Sequence, residues 1–66
     1  MLLTVNGASQ DVADGTGLVG LLDGLGLVVG SVVVEHNGIA LLRSEVLSAE
    51  LKDGDVLELV RAVAGG

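Results

Sequence analysis

The chain has 66 residues, half of them hydrophobic, with no cysteine and no aromatic side chain. That length fits one small domain with a thin core. The missing residue types exclude a disulfide framework, thiolate metal sites, cysteine nucleophiles and aromatic platforms for stacking nucleic-acid bases, while nine acidic against three basic residues give a net charge of −6 that repels a phosphate backbone and suits a basic protein surface.

Leu2 to Val5 is apolar and predicts a first strand ending at Asn6-Gly7. Asn-Gly is a strong hairpin signal because both central positions of the tight turn need positive φ. Ser9 to Val12 is then the returning strand, broken by Asp14-Gly15-Thr16-Gly17, where Thr16 or Gly17 can cap a helix. Leu18, Leu21, Leu22 and Leu25 recur at i, i+3, i+4 and i+7, one apolar stripe at helical period. Gly20 and Gly24 each weaken that helix by about 1 kcal/mol relative to Ala, so its formation must rest on packing. Gly26 suits the left-handed position after the helix end.

Ser31 to Glu35 carries Val32-Val33-Val34, a β-branched run typical of a buried strand. His36-Asn37-Gly38 predicts a second turn and Ile39 to Leu42 a short strand. Arg43 to Leu51 is irregular, with one helical turn from Ser44 and with Val46, Leu47 and Leu51 plugging the core. Asp53-Gly54 predicts a third hairpin-type turn before a last strand, Asp55 to Val60. In that strand Leu57 and Leu59 share one face and Val56, Glu58 and Val60 the other. This order predicts an α+β domain: a mixed four- to five-stranded sheet with one helix packed on one face and the last strand beside the first. The folded domain should span residues 1–60, with residues 61–66 as a flexible tail.

Gly17 to Val34 is long and apolar enough to raise a membrane span. Asp23 near its centre, its glycines and the absence of any Lys or Arg before Arg43 argue instead for a short helix followed by a strand. The expectation is no membrane partner, no nucleic-acid partner, a cytoplasmic address and a monomer when free.

Candidate chemical groups are sparse. A single histidine cannot build a multi-histidine metal site, and no metal is expected. His36 reads as a solvated turn residue, with no Ser or Cys placed to make it part of a nucleophilic pair. Asp53-Gly54-Asp55 resembles the start of a calcium loop but lacks the later ligands, so a turn explains it better. Asp11 and Asp14 form a carboxylate pair with nothing adjacent to raise either pKa. The stretch Gly24 to Gly30 lacks the Lys-Ser/Thr of a phosphate loop and the spacing of a dinucleotide loop. No catalytic residue of the chain's own is expected, and no bound cofactor.

The sequence closes Arg61-Ala62-Val63-Ala64-Gly65-Gly66. Side chains shrink and then vanish, so such a tail buries little. A chain end without Cβ atoms at its last two positions fits a narrow channel in another protein. The reactive group it would deliver is the α-carboxylate of Gly66. Adenylation converts that poor acyl donor into one that a sulfur nucleophile can attack.

These features together resemble the ThiS family of sulfur carriers, within the ubiquitin-like β-grasp superfamily. The resemblance covers the whole chain. It is carried by the first strand with Asn6-Gly7, the segment DGTGLVGLLDGLGL, Asn37-Gly38, Arg43-Ser44-Glu45 and above all LKDGDVLELVRAVAGG at 51–66. Ala64 stands where many members have a third glycine. The resemblance implies that an E1-like adenylyltransferase uses ATP-Mg to activate Gly66, with Gly65, Ala64 and Val63 threading into the partner. Sulfur from cysteine, relayed through a cysteine desulfurase persulfide, would then give a thiocarboxylate that thiazole synthase accepts. The protein would be a cosubstrate and not an enzyme. The small subunit of molybdopterin synthase shares fold, tail and chemistry but differs in its acceptor, and the absence of Phe favours the thiamine branch. Another β-grasp sulfur carrier, or a non-catalytic β-grasp binding module, are the alternatives. The outward residues Val56, Glu58 and Val60, with Arg61 and Val63, are the expected docking surface.

Overall fold

The structure, a computed structural model, describes residues 1–62; Val63, Ala64, Gly65 and Gly66 lie outside that range, and so do the expectations placed on them. The elements run β1 (Leu2–Val5), β2 (Ala8–Asp11), α1 (Leu18–Gly24), β3 (Val32–His36), β4 (Ile39–Ala40), α2 (Arg43–Ser48) and β5 (Val56–Arg61). They build a five-stranded sheet in the order β2-β1-β5-β3-β4. The central pair β1–β5 is parallel and the other pairs are antiparallel. This is the mixed β-grasp sheet expected from the sequence, with its last strand beside its first.

Local chemistry sets the two tight hairpins. Asn6 and Gly7 take φ of 50° and 81°, and Asn37 and Gly38 take 51° and 84°. Positive φ at both positions matches the right-handed twist of the flanking strands. Strand β2 starts one residue earlier than expected, because Val5 pairs directly with Ala8 across the Asn6-Gly7 turn. Strand β3 likewise shifts by one and takes in His36, which pairs with Ile39. Strand β4 is shorter than expected, since the chain turns into α2 at Arg43.

Helix α1 starts at Gly17 without a side-chain cap, and the Thr16 hydroxyl instead donates to the Ala13 carbonyl at 2.7 Å. It ends at Gly24, and Gly26, with φ of 74°, takes the left-handed position just beyond the end. Leu18, Leu21 and Leu22 are buried against Leu3, Val5, Val34, Leu57 and Leu59 of the sheet. Val46 and Leu51 close the core from the α2 side.

Several apolar residues lie elsewhere than expected. Leu25 is exposed because α1 ends before it can complete the stripe. The valine run is not uniformly buried: Val34 faces the core and Val33 the other side, as the two-residue period of a strand requires. Residues Arg43–Ser48 form a true second helix, α2, not a single turn. The Leu42 amide donates to Glu45 Oε1 at 2.7 Å and so satisfies one of the donors left over at its start. That helix turns Val46 inward and leaves Leu47 60% exposed, so Leu47 is not a core plug. The Asp53-Gly54 turn is no hairpin, because β5 leaves it parallel to β1 and no strand precedes it.

Strand β5 runs through Arg61, which pairs with Val32, and the Ala62 amide donates to the Ser31 carbonyl at 2.9 Å. Arg61 and Ala62, expected in the tail, are therefore held by β3 and its approach. Among the described residues no helix is long and apolar enough to cross a membrane. The Gly17–Val34 stretch is instead divided between α1 and β3.

A core this small has little reserve, about 3–5 kcal/mol for a single core of this length. Leu22, wholly buried, should cost about 2–5 kcal/mol when cut to Ala. Leu22→Ala should therefore lack a cooperative urea transition, whereas Leu47→Ala should unfold within about 0.5 kcal/mol of the wild type.

Candidate functional site

The helices cover one face of the sheet and leave the other open. The alternation along β5 buries Leu57 and Leu59 and turns Val56, Glu58 and Val60 outward. Register extends the open face sideways. Val60 lies opposite Val33, Glu58 opposite Glu35, and Val56 beside Thr4. Val33 and Val60 are both more than half exposed, as is Leu2 on β1. The result is an apolar strip with two carboxylates directly across from each other. Like charges in that position repel, and no described basic side chain lies within ion-pair distance of either. Arg61 does not join this strip. It falls in line with Leu57 and Leu59 at the end of β5, beyond the core, where it is exposed.

The expected chemical candidates take structural places. His36 is not a solvated turn residue. It closes β3, with its side chain 22% exposed and its Nε2 at 2.8 Å from Asp55 Oδ2. Asp55 is buried and is the hub of this corner. Its carboxylate also accepts from Asn37 Nδ2 at 3.0 Å and from the Lys52 amide at 2.9 Å. Asn37 Oδ1 in turn accepts from the Val56 amide at 2.8 Å. Burial pushes the Asp55 carboxyl up, but the hydrogen bonds from His36, Asn37 and Lys52 outweigh it and hold the group at about 2, below its usual 3.8. The cluster ties the β3–β4 turn to the start of β5. Among the described residues, no serine or threonine hydroxyl hydrogen-bonds to it.

Asp53 and Asp55 do not converge on a common point: Asp53 Oδ1 accepts from the Leu2 amide at 2.6 Å, on the β1 side. Asp11 and Asp14 flank the Met1 ammonium at 3.7 and 2.9 Å and are almost fully exposed, which makes a surface ion pair of small energetic weight. Among the described residues, no group of three or more His, Asp or Glu side chains is placed to hold a metal ion.

One contact was invisible in the sequence. Asn6, expected only to shape a turn, sends its side chain across to β5. Its Oδ1 accepts from the Leu59 amide at 2.7 Å and its Nδ2 donates to the Leu59 carbonyl at 3.2 Å. Without that amide the two part-buried backbone groups of Leu59 would have only solvent to pair with. An Asn-Gly pair signals the turn, but no local pattern reveals a partner residue in the last strand.

A five-stranded mixed sheet with a parallel central pair and a helix on one face defines the β-grasp fold. A family model described as the ThiS family matches residues 3–66, and the chain belongs to that family. It is similar to the crystal structure of the thiamine biosynthesis protein ThiS from Geobacter metallireducens, at 36% identity over the whole of both chains with a TM-score of 0.83. It is also similar to the solution structure of a thiamine biosynthesis protein from the same organism, at 36% identity over all of this chain and 88% of the other, with a TM-score of 0.77. Comparison with curated proteins gives no match.

The Asp55 network makes a pH prediction. A carboxyl depressed by folding stabilises the fold fully above its unfolded pKa of 3.8, and the benefit is lost as pH falls through about 2. In so thin a domain nearby solvent screens the effect, leaving about 1–2 kcal/mol. Urea midpoints should therefore drop between about pH 4 and pH 2, and Asp55→Asn should flatten that drop. An unchanged slope in the variant contradicts the assignment.

Proposed function

We propose that the chain is a sulfur carrier of thiamine (thiazole) biosynthesis, a cosubstrate and not a catalyst. The observation that carries this reading is the family match, which runs through Gly65 and Gly66. It supports placing the reactive carboxylate on Gly66. An E1-like adenylyltransferase would use ATP-Mg to form the Gly66 acyl-adenylate. The terminal sulfur of a cysteine desulfurase persulfide would displace AMP to give an acyl disulfide. A second thiol of the loading machinery would attack the desulfurase-side sulfur, releasing the thiocarboxylate and leaving a disulfide between the two thiols. Thiazole synthase would then take that sulfur. Val63, Ala64 and Gly65 would enter the partner's channel, where a missing Cβ at Gly65 removes the widest obstacle next to the reacting carbonyl.

The open sheet face is the proposed handle. It lies on β5, the strand that leads towards Gly66, so a partner gripping Val56 and Val60 holds the same strand that delivers the carboxylate. The facing pair Glu35 and Glu58 sets the partner's chemistry. A cation placed between them would relieve their repulsion, so the complementary surface is apolar with a basic side chain opposite the acids. The overall charge of −6 adds long-range attraction to such a surface.

Two experiments test this reading. Incubation with the adenylating enzyme, ATP-Mg and a sulfur donor should raise the intact mass by one oxygen-to-sulfur exchange, localised to Gly66. Deleting Gly66 should abolish the gain; its survival in the deletion would refute the assignment. Separately, Val60→Asp should keep the fold, since Val60 is 61% exposed, yet slow loading by about tenfold or more through a buried uncompensated charge in the complex. Unchanged loading of that variant would remove Val60 from the interface.

A further inference from the structure

Strand β5 is supported unequally on its two edges. On the β3 side the pairing is complete from end to end. The Asn37 amide donates to the Val56 carbonyl at 2.8 Å, the register runs from His36–Leu57 to Val32–Arg61, and the Ala62 amide donates to Ser31. On the β1 side the strand pairing stops early. Only Thr4–Val56 and Val5–Leu57 are in register, with the Asn6 amide donating to the Leu57 carbonyl at 2.9 Å. There β1 turns away into the Asn6-Gly7 hairpin. The next residue of β5 that faces this edge is Leu59, and its N–H and C=O are taken by the Asn6 side chain and not by backbone.

A carboxamide carries one donor and one acceptor with the spacing of a peptide group. Asn6 therefore replaces the missing strand neighbour for one further step of the ladder. It does so while its own backbone holds φ of 50°, a conformation Asn tolerates better than other residues with side chains. The same residue thus turns β1 back and steadies β5 two positions before Arg61.

We propose that Asn6 is a positioning residue for carrier loading: its amide clamps the second half of β5 and fixes the direction in which the chain leaves the sheet towards Gly66. The proposal rests on the sulfur-carrier reading. Asn6 touches no reacting atom, so its loss should act on how often the carboxylate reaches the adenylating site and not on how tightly the open sheet face binds. Small misplacements of a reacting group are costly in rate.

The test uses Asn6→Gly, which removes the amide but keeps positive φ at no steric cost, and Asn6→Asp, which keeps the acceptor for the Leu59 amide and loses the donor. Circular dichroism verifies the fold of each full-length chain. In Asn6→Gly the Leu59 amide should exchange with solvent about tenfold faster while Leu57 stays protected. Steady-state adenylation should show kcat down by about fivefold or more with KM within about twofold. Asn6→Asp should recover part of the lost rate, and it decides the matter if Asn6→Gly fails to fold. Wild-type kcat in the folded variants, a change confined to KM, or undiminished Leu59 protection in Asn6→Gly overturns the proposal. A wild-type chain that is not loaded at all overturns the carrier reading and the proposal with it, whereas a loaded wild type beside an equally fast variant overturns the proposal alone.

Discussion

The parallel pairing of β1 with β5 is the constraint on which the domain depends. It joins segments as far apart as Leu2 and Asp53, 51 residues along the chain, and so closes the whole polypeptide into one loop. Closing a loop that long has an entropic cost that local hydrogen bonds do not offset. The compensation is burial: the pairing brings Leu3 and Val5 beside Leu57 and Leu59, against the leucines of α1. Because only two residue pairs are in strand register, side chains reinforce the seam at both ends. Asp53 holds the Leu2 amide at one end and Asn6 holds Leu59 at the other.

That arrangement divides labour between the two faces of one strand. The inward leucines of β5 hold the core, and the outward Val56, Glu58 and Val60 sit on a face that no described element covers. The open face is costly to the isolated domain, with exposed valines beside two carboxylates in cross-strand register. A partner surface that is apolar and basic would turn both features into binding energy. The short, glycine-bearing helix α1 suits the same design. It lacks the intrinsic stability to stand alone, and the sheet it packs on supplies what it needs.

The polar residues that flank β5 serve geometry: Asp55 is buried, His36 half-buried, and Asn6 and Asn37 lie at the exposed turns. Asp55, Asn37 and His36 lock the lower corner of β5, and Asn6 supports its upper half. Each satisfies backbone or carboxylate groups that burial would otherwise leave without partners. Between them they hold the strand along its length without a disulfide, in a chain with no cysteine. The only histidine is engaged in this contact with Asp55.

Much of this was legible in the sequence because it depends on near neighbours. Asn-Gly pairs dictate tight turns, the leucine spacing dictates α1, and the alternation in β5 dictates which side chains face inward. The family resemblance of the final block and its glycines rests on the same local order. Tertiary structure alone decided the rest, because those features depend on residues far apart in the chain. His36 became a partner of Asp55 only when β3 and β5 were aligned. Leu47 turned outward and Val46 inward only when α2 completed its turn against the core. Glu35 met Glu58 only through the register of β3 on β5. Asn6 became a clamp on Leu59 only because β1 bends away while β5 continues. Local patterns specify which face of a residue is buried; only the packed sheet specifies what lies across from it.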